Sequence, residues 1–126
     1  MKLPENLKYT KDHEWVKIDG NIATIGITDF AQSELGDIVY VEVESIDEEL
    51  DREEVFGTVE AVKTVSDLFM PVSGKVEEFN ETLEDEPELV NDNPYEEGWI
   101  IKIKMSSPDE AEELLSANDY KTHIEG

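Results

Sequence analysis

The chain has 126 residues, and its 33 aspartates and glutamates against 10 lysines and arginines give a formal net charge of −23 at pH 7. This length suits one domain with a hydrophobic core, and a hydrophobic fraction of 38% argues against global disorder. The charge disfavours nucleic acid and anionic membranes as partners, whereas it favours proteins with basic docking faces or small cationic groups.

The chain contains no cysteine, which excludes disulfides, thiolate zinc sites and cysteine nucleophiles. Residues 1–16 lack an apolar core of signal-peptide length, and no apolar run is long enough to cross a membrane. We therefore expect a soluble, cytoplasmic protein.

The N-terminal part predicts a hairpin over residues 14–27. Short β-prone runs flank Asp19-Gly20, a dipeptide that favours a type I′ turn. Thr28 or Asp29 is expected to cap a short helix, which Gly36 would end.

The middle of the chain predicts strands separated by acidic segments. The expected strands are 38–43, 55–62, a run that begins at Met70-Pro71 and ends at Phe79, and 99–105. The acidic run 45–54 is expected to be a solvated loop, and residues 80–98 are expected to form turns with one short helix.

The C-terminal part predicts helix. Ser107-Pro108-Asp109-Glu110 has the pattern of a capping box, with proline at the first helical position. The helix is expected to continue through Leu114 and Leu115, and residues 119–124 to add another turn.

A strand, an acidic loop and a second strand occur twice, at 37–62 and at 71–105. This repetition favours a mainly β fold: a flattened barrel, or sandwich hybrid, of two related sheets with Lys63 on the connecting turn and helices packed outside. We expect one domain over residues 1–126, with a hairpin at 14–27, a β core at 37–105 and a helical segment at 107–125.

Lys63 stands between Val62 and Val65 with only Thr64 to interrupt the apolar run. Most lysines at such places are solvated residues at a strand edge. A Schiff-base nucleophile needs a lowered pKa, which the many surrounding acids disfavour. An amide-linked cofactor, either lipoate or biotin, needs an exposed and rigidly presented lysine, and a tight turn between paired strands supplies one.

Other chemistry has little support. His13 and His123 are the histidines available to a catalytic triad, and we expect His13 to be a surface or partly packed side chain instead of a general base. Close acidic pairs occur by chance among so many carboxylates, and there is no calcium-loop or phosphate-loop pattern.

Segments along nearly the whole chain resemble the H-protein family, the lipoyl carriers of the glycine cleavage system. They are Leu7-Lys8-Tyr9, His13-Glu14-Trp15-Val16, Ala23-Thr24-Ile25-Gly26-Ile27-Thr28-Asp29, Ala31-Gln32, Leu35-Gly36-Asp37-Ile38-Val39, Val41-Glu42, Gly57, Val59-Glu60-Ala61-Val62-Lys63, Ser66-Asp67, Pro71-Val72-Ser73-Gly74, Asn91, Pro94-Tyr95, Gly98-Trp99 and Ile101-Lys102-Ile103. Biotin carriers share a similar lysine turn followed by a Pro-Val-x-Gly strand. They lack the His-Glu-Trp, Gly-Ile-Thr-Asp and Pro-Tyr-x-x-Gly-Trp segments, so lipoate is favoured.

The resemblance implies a non-catalytic carrier subunit with lipoate joined to Lys63. By this likeness it would take the aminomethyl group of glycine from the P-protein to the T-protein and pass electrons to the L-protein, after modification by lipoyl- or octanoyl-attaching enzymes. No metal is implied. The alternatives are a biotin carrier domain and a lipoyl-relay carrier for protein lipoylation.

The aminomethyl cargo carries an amine that is cationic near neutral pH. Carboxylates near the arm would therefore hold it and shield it from water. Glu14, Asp12 and Asp67 are the candidates, because the first two lie in the His-Glu-Trp segment and Asp67 follows Lys63 by four residues.

Overall fold

The computed structural model describes residues 2–125, in which nine strands form two antiparallel sheets. The strands are β1 (Lys8–Tyr9), β2 (Glu14–Asp19), β3 (Ile22–Ile27), β4 (Ile38–Glu42), β5 (Glu49–Leu50), β6 (Val55–Ala61), β7 (Val65–Phe69), β8 (Gly74–Phe79) and β9 (Ile101–Met105). The helices are α1 (Asp29–Leu35), α2 (Thr82–Asp85), α3 (Leu89–Asp92) and α4 (Ala117–Glu125), with a 3-10 helix at Pro108–Glu113.

The larger sheet has the strand order β1-β2-β3-β9-β8-β5, and the smaller one has the order β4-β6-β7. Alternate residues of both sheets point into one core, as the two-residue period of a strand requires. Ile25 of β3, Ile103 of β9 and Val59 of β6 are each 0% exposed and belong to this core. The mainly β, two-sheet prediction is thereby confirmed.

The N-terminal hairpin turns one residue later than predicted. Asp19 pairs with Ile22, so the two-residue loop is Gly20-Asn21. The backbone angle φ is 64° at Gly20 and is not positive at Asn21, which fits a type II′ turn with glycine in its first central position. The type I′ prediction at Asp19-Gly20 was wrong, because Asp19 remains in the strand ladder.

Helix α1 begins and ends as predicted. The Thr28 side chain accepts a hydrogen bond from the Ala31 N–H at 3.1 Å. At the other end the Gly36 N–H donates to the Gln32 carbonyl at 2.9 Å. These contacts satisfy backbone groups that a short helix would otherwise leave free.

Two strands and one helix in the middle of the chain were not predicted. β5 lies inside the acidic run and pairs with β8, so that run is not wholly a loop. β7 pairs with β6 directly after Lys63, and the lysine turn therefore lies within the smaller sheet instead of between two repeated halves. Residues 80–98 contain two short helices, α2 and α3.

The predicted capping box does not form. Ser107 makes no side-chain cap hydrogen bond, and the Glu110 carboxylate accepts hydrogen bonds from Ser73 N at 2.6 Å and Ser73 Oγ at 3.1 Å. The helix also stops before the predicted residues, because Leu114 is extended and Leu115 exchanges two backbone hydrogen bonds with Tyr9, each of 2.8 Å. α4 starts only after this break.

A second hydrophobic cluster holds α4 against the N-terminal strands. The rings of Tyr9 and Tyr120 stack with centroids 4.9 Å apart, and both side chains are 0% exposed. Trp15 is 1% exposed, and its indole N–H donates to the Pro94 carbonyl at 2.8 Å. The C-terminal helix is therefore part of the packed structure.

Candidate functional site

Lys63 lies exposed at the tip of the hairpin that joins β6 to β7. The hairpin is closed by a hydrogen bond of 2.7 Å from Ala61 N–H to the Thr64 carbonyl. The Val62 N–H donates at 3.0 Å to the carbonyl of Asp37, which follows α1. The backbone around the lysine is thus fixed on both sides, while the side chain is free to be modified.

The Lys63 side chain passes over Gly36. A Cβ atom at Gly36 would lie 3.4 Å from Lys63 Cε and 4.0 Å from Nζ, so the absent side chain leaves room for the lysine stem. The Gly36 backbone has φ 84° and ψ −158°, a conformation essentially restricted to glycine.

The Asn91 side chain fixes the backbone around Gly36 through three hydrogen bonds. Its Oδ1 accepts from the Ile38 N–H, and its Nδ2 donates to the Gly36 carbonyl and to the Gln32 side chain, all at 2.9 Å. One amide therefore ties the end of α1 to the start of β4.

A cleft of about 200 Å³ lies between α1 and β7. Its lining residues are Asp12, His13, Ile27, Phe30, Ala31, Glu34, Leu35, Val59, Ser66, Asp67 and Leu68. The cleft combines apolar walls with three exposed carboxylates, those of Asp12, Glu34 and Asp67. Ser66 is three residues beyond Lys63, so the cleft includes the start of the strand that follows the lysine turn. Such a cleft fits an apolar group that carries an amine.

The structure brings Asp12 and Asp67 together in this cleft, but Glu14 does not line it. Glu14 is 2% exposed and lies behind β7, where its Oε2 accepts from the Phe69 N–H at 2.7 Å and its Oε1 from the Thr10 hydroxyl at 3.3 Å. Burial raises the pKa of Glu14 from 4.5 to about 8, and the Asp12 charge adds to the increase, whereas the two hydrogen bonds oppose it.

His13 is a half-buried member of the cleft that the sequence did not single out as a site residue. Its ring lies 4.9 Å from that of Phe30 and 5.8 Å from that of His123. Burial lowers the pKa of His13 below 6.5, and His123 contributes in the same direction, while Asp12 and Glu34 oppose the change. Phe30 and Glu34 were also missed, because only the folded helix turns them toward the cleft.

Residues 2–125 contain no cluster of three or more histidine or carboxylate side chains suited to a metal ion. Within the same residues, no helix is long and apolar enough to span a membrane.

Two packed sheets that present a lysine at a hairpin tip define a barrel-sandwich hybrid of the carrier type. The model of the glycine cleavage H-protein family matches residues 7–126, and the chain belongs to that family. Glycine cleavage system H proteins of Staphylococcus haemolyticus and Staphylococcus epidermidis are each 56% identical to it over 124 residues, which is 98% of this chain and 98% of the relative.

The solved structures agree with this assignment. The crystal structure of a glycine cleavage system H protein from Mycobacterium marinum matches with a TM-score of 0.88 at 35% identity, and the match covers 98% of this chain and 99% of that chain. H-proteins carry covalently attached lipoate on a lysine and interact with the P-, T- and L-proteins. The resemblance is thereby confirmed, and neither the biotin-carrier nor the lipoyl-relay alternative gains support.

Proposed function

We propose that this chain is the lipoyl-bearing shuttle of a glycine cleavage system and that Lys63 carries the lipoyl group. The observation that supports the assignment is the exposed position of Lys63 on a hairpin tip held by backbone hydrogen bonds to both sides. The group supplies dithiol and disulfide chemistry when attached. The protein supplies presentation, as a non-catalytic cytoplasmic subunit with a single domain over residues 1–126.

The smaller sheet offers partners a mixed apolar and acidic surface beside the lysine. Val62 and Val65 are 75% and 60% exposed, and Tyr40 is 48% exposed. Glu60 pairs with both Tyr40 and Val65, so a carboxylate stands between two apolar side chains. Lipoyl-attaching enzymes and the P-, T- and L-proteins would bind this surface through apolar patches surrounded by basic residues.

Replacing Lys63 by alanine should abolish attachment. After coexpression with a lipoyl ligase, the parent chain should gain one lipoyl increment in intact mass, and Lys63→Ala should gain none. Lys75→Ala is the matched control, because Lys75 is also exposed but lies within β8 instead of on a hairpin tip. A biotinyl increment on the parent, or a lipoyl increment on Lys63→Ala, would contradict the proposal.

We further propose that the cleft beside α1 receives the loaded arm. Its apolar walls suit the hydrocarbon stem, and Asp12 and Asp67 suit the cationic amine at its end. Glu14 acts from behind β7. Its raised pKa leaves it mostly protonated near neutral pH, and a nearby cation would favour its ionised form.

Removing the Glu14 carboxyl should shorten the lifetime of the cargo without preventing lipoylation. Water converts the bound aminomethyl group to free thiol, formaldehyde and ammonium, with no change in oxidation state. We expect formaldehyde release from Glu14→Ala to be about threefold to tenfold faster than from the parent, which corresponds to the loss of roughly 1 kcal/mol of stabilisation of the bound amine. Glu77→Ala, an exposed acid on β8, should release it at the parent rate. Equal rates for Glu14→Ala and parent would remove Glu14 from the site.

A further inference from the structure

The C-terminal helix reaches the cleft through a buried chain of hydrogen bonds. The Tyr120 hydroxyl of α4 lies 2.8 Å from His13 Nδ1 and 2.8 Å from Thr28 Oγ1. Tyr120 and Thr28 are both 0% exposed. A single phenol therefore contacts a residue that lines the cleft and the residue that caps α1.

The direction of the hydrogen bonds follows from the donors available. Thr28 Oγ1 already accepts a hydrogen bond from the Ala31 N–H. Among residues 2–125, the acceptor within reach of the Thr28 hydroxyl proton is the Tyr120 oxygen. The Tyr120 hydroxyl can then donate to His13 Nδ1. This arrangement uses every hydroxyl proton and places the imidazole proton of neutral His13 on Nε2.

The hydrogen bonds through Tyr120 connect two walls of the cleft. One wall is the turn that contains Asp12 and His13, where His13 is held at a positive φ of 69°. The other is α1, whose Phe30, Ala31, Glu34 and Leu35 line the cleft. The His13 carbonyl also accepts from the Thr28 N–H at 3.0 Å, so the walls stay joined by backbone when the side-chain link is lost.

Protonation of His13 is incompatible with this arrangement of hydrogen bonds. Nδ1 would become a donor and point at Tyr120, which leaves one hydroxyl proton in a buried place without an acceptor. The titratable groups that face the imidazole are Asp12 on its own turn, Glu34 on α1, and Tyr120 and His123 on α4. Burial and His123 outweigh the two carboxylates and lower the pKa of His13, which favours the neutral imidazole.

We propose that Tyr120 is a positioning residue of the arm cleft: its hydroxyl holds His13 and the cap of α1 in place, and protonation of His13 breaks that hold. The inference rests on the proposed role of the cleft in holding the loaded arm. Acid conditions would thus loosen the cleft walls and shorten the lifetime of the cargo, while the fold stays intact.

The test uses three variants of the full chain. Tyr120→Phe keeps the ring that stacks on Tyr9 and removes the hydroxyl. His13→Asn keeps an acceptor near the Nδ1 position, tolerates a positive φ and does not titrate. Tyr9→Phe is the matched control, because its hydroxyl donates to the Pro4 carbonyl, which is not part of the cleft.

The first measurement is hydrogen exchange at the Ala31 amide between about pH 8 and pH 5, corrected for the intrinsic pH dependence. It requires no lipoyl group. In the parent, protection should fall roughly tenfold as His13 protonates, the effect of one weakened buried hydrogen bond. In Tyr120→Phe the protection of the Ala31 amide should be low at every pH, and in His13→Asn it should be high at every pH. In Tyr9→Phe the protection should change with pH as it does in the parent. A Tyr120→Phe profile like that of the parent, or a parent-like step in His13→Asn, would overturn the proposal.

The second measurement is formaldehyde release from the loaded chains over the same range. The variant-to-parent rate ratio for Tyr120→Phe should exceed one at high pH and approach one at low pH. A ratio of one throughout, with the exchange pattern as expected, would limit Tyr120 to the helix cap and overturn its role in the cleft. Failure of the proposed function is distinct, because it appears as absence of a lipoyl increment on Lys63 whatever the exchange result.

Discussion

At about pH 9 the Glu14→Gln variant should be more stable than the parent chain by roughly 3–5 kcal/mol, whereas near pH 4.5 the two should differ by less than about 1 kcal/mol. The glutamine keeps an acceptor for the Phe69 N–H and, like the protonated acid, carries no charge. The free energy of unfolding of the variant therefore differs from that of the parent only at pH values at which Glu14 is ionised.

The sign follows from the raised pKa. The folded chain binds the Glu14 proton more tightly than the unfolded chain does, so folding is favoured at low pH and disfavoured as the carboxyl ionises. The loss of stability is absent below pH 4.5, grows as the pH rises and is complete above about pH 8. Urea unfolding of both chains at a series of pH values measures it as a difference in free energy.

Glu34→Gln supplies the control for this measurement. Glu34 is an exposed carboxylate that lines the cleft, and its replacement should change the free energy of unfolding by no more than about 0.5 kcal/mol. Parallel pH dependences for parent and Glu14→Gln would show that the buried carboxyl does not govern alkaline stability.

Trp15→Ala should lower the free energy of unfolding by about 3–5 kcal/mol, the usual cost of deleting a buried indole. The cavity cannot be filled from β3, because the indole packs directly on Gly26, where a Cβ would lie 2.6–2.8 Å from its atoms. The Pro94 carbonyl would also lose its hydrogen-bond donor.

Trp99 is the matched control because it is the other tryptophan of the chain and is only partly buried. Its ring lies beneath Lys102 Nζ at 4.9 Å, and Trp99→Ala should cost about 1–2 kcal/mol. Similar losses in urea unfolding for the two variants would contradict the difference in burial on which the prediction depends.

Strands with regular alternation could be predicted from the sequence, because one face of each packs into the core. The 99–105 prediction corresponds to β9 for this reason. The 38–43 prediction corresponds to β4, which a dense run of β-prone residues identified although a register shift between Ile38 and Tyr40 interrupts the alternation of buried residues. β7 was not predicted because Ser66 and Asp67 interrupt its apolar residues. The predicted capping box failed because the Glu110 carboxylate is taken by Ser73, a partner distant in sequence.

The site was predictable only in part, for similar reasons. Lys63 is conspicuous because a cation stands in an apolar run. The position of Glu14 behind β7 depends on pairing between segments 55 residues apart, which no local pattern encodes. Tyr120 contacts His13 across 107 residues, and its sequence context indicates only an amphipathic helix.

The hydrogen bond from Val62 to Asp37 fixes the point from which the arm starts, so the free motion of the group begins at the Lys63 side chain. Entry of the arm into the cleft is then an intramolecular event that does not depend on protein concentration. For short flexible tethers the effective concentration is on the order of millimolar. Contacts too weak to bind free lipoamide would therefore suffice to retain the tethered group, and a partner enzyme could extract it without opposing a tight complex.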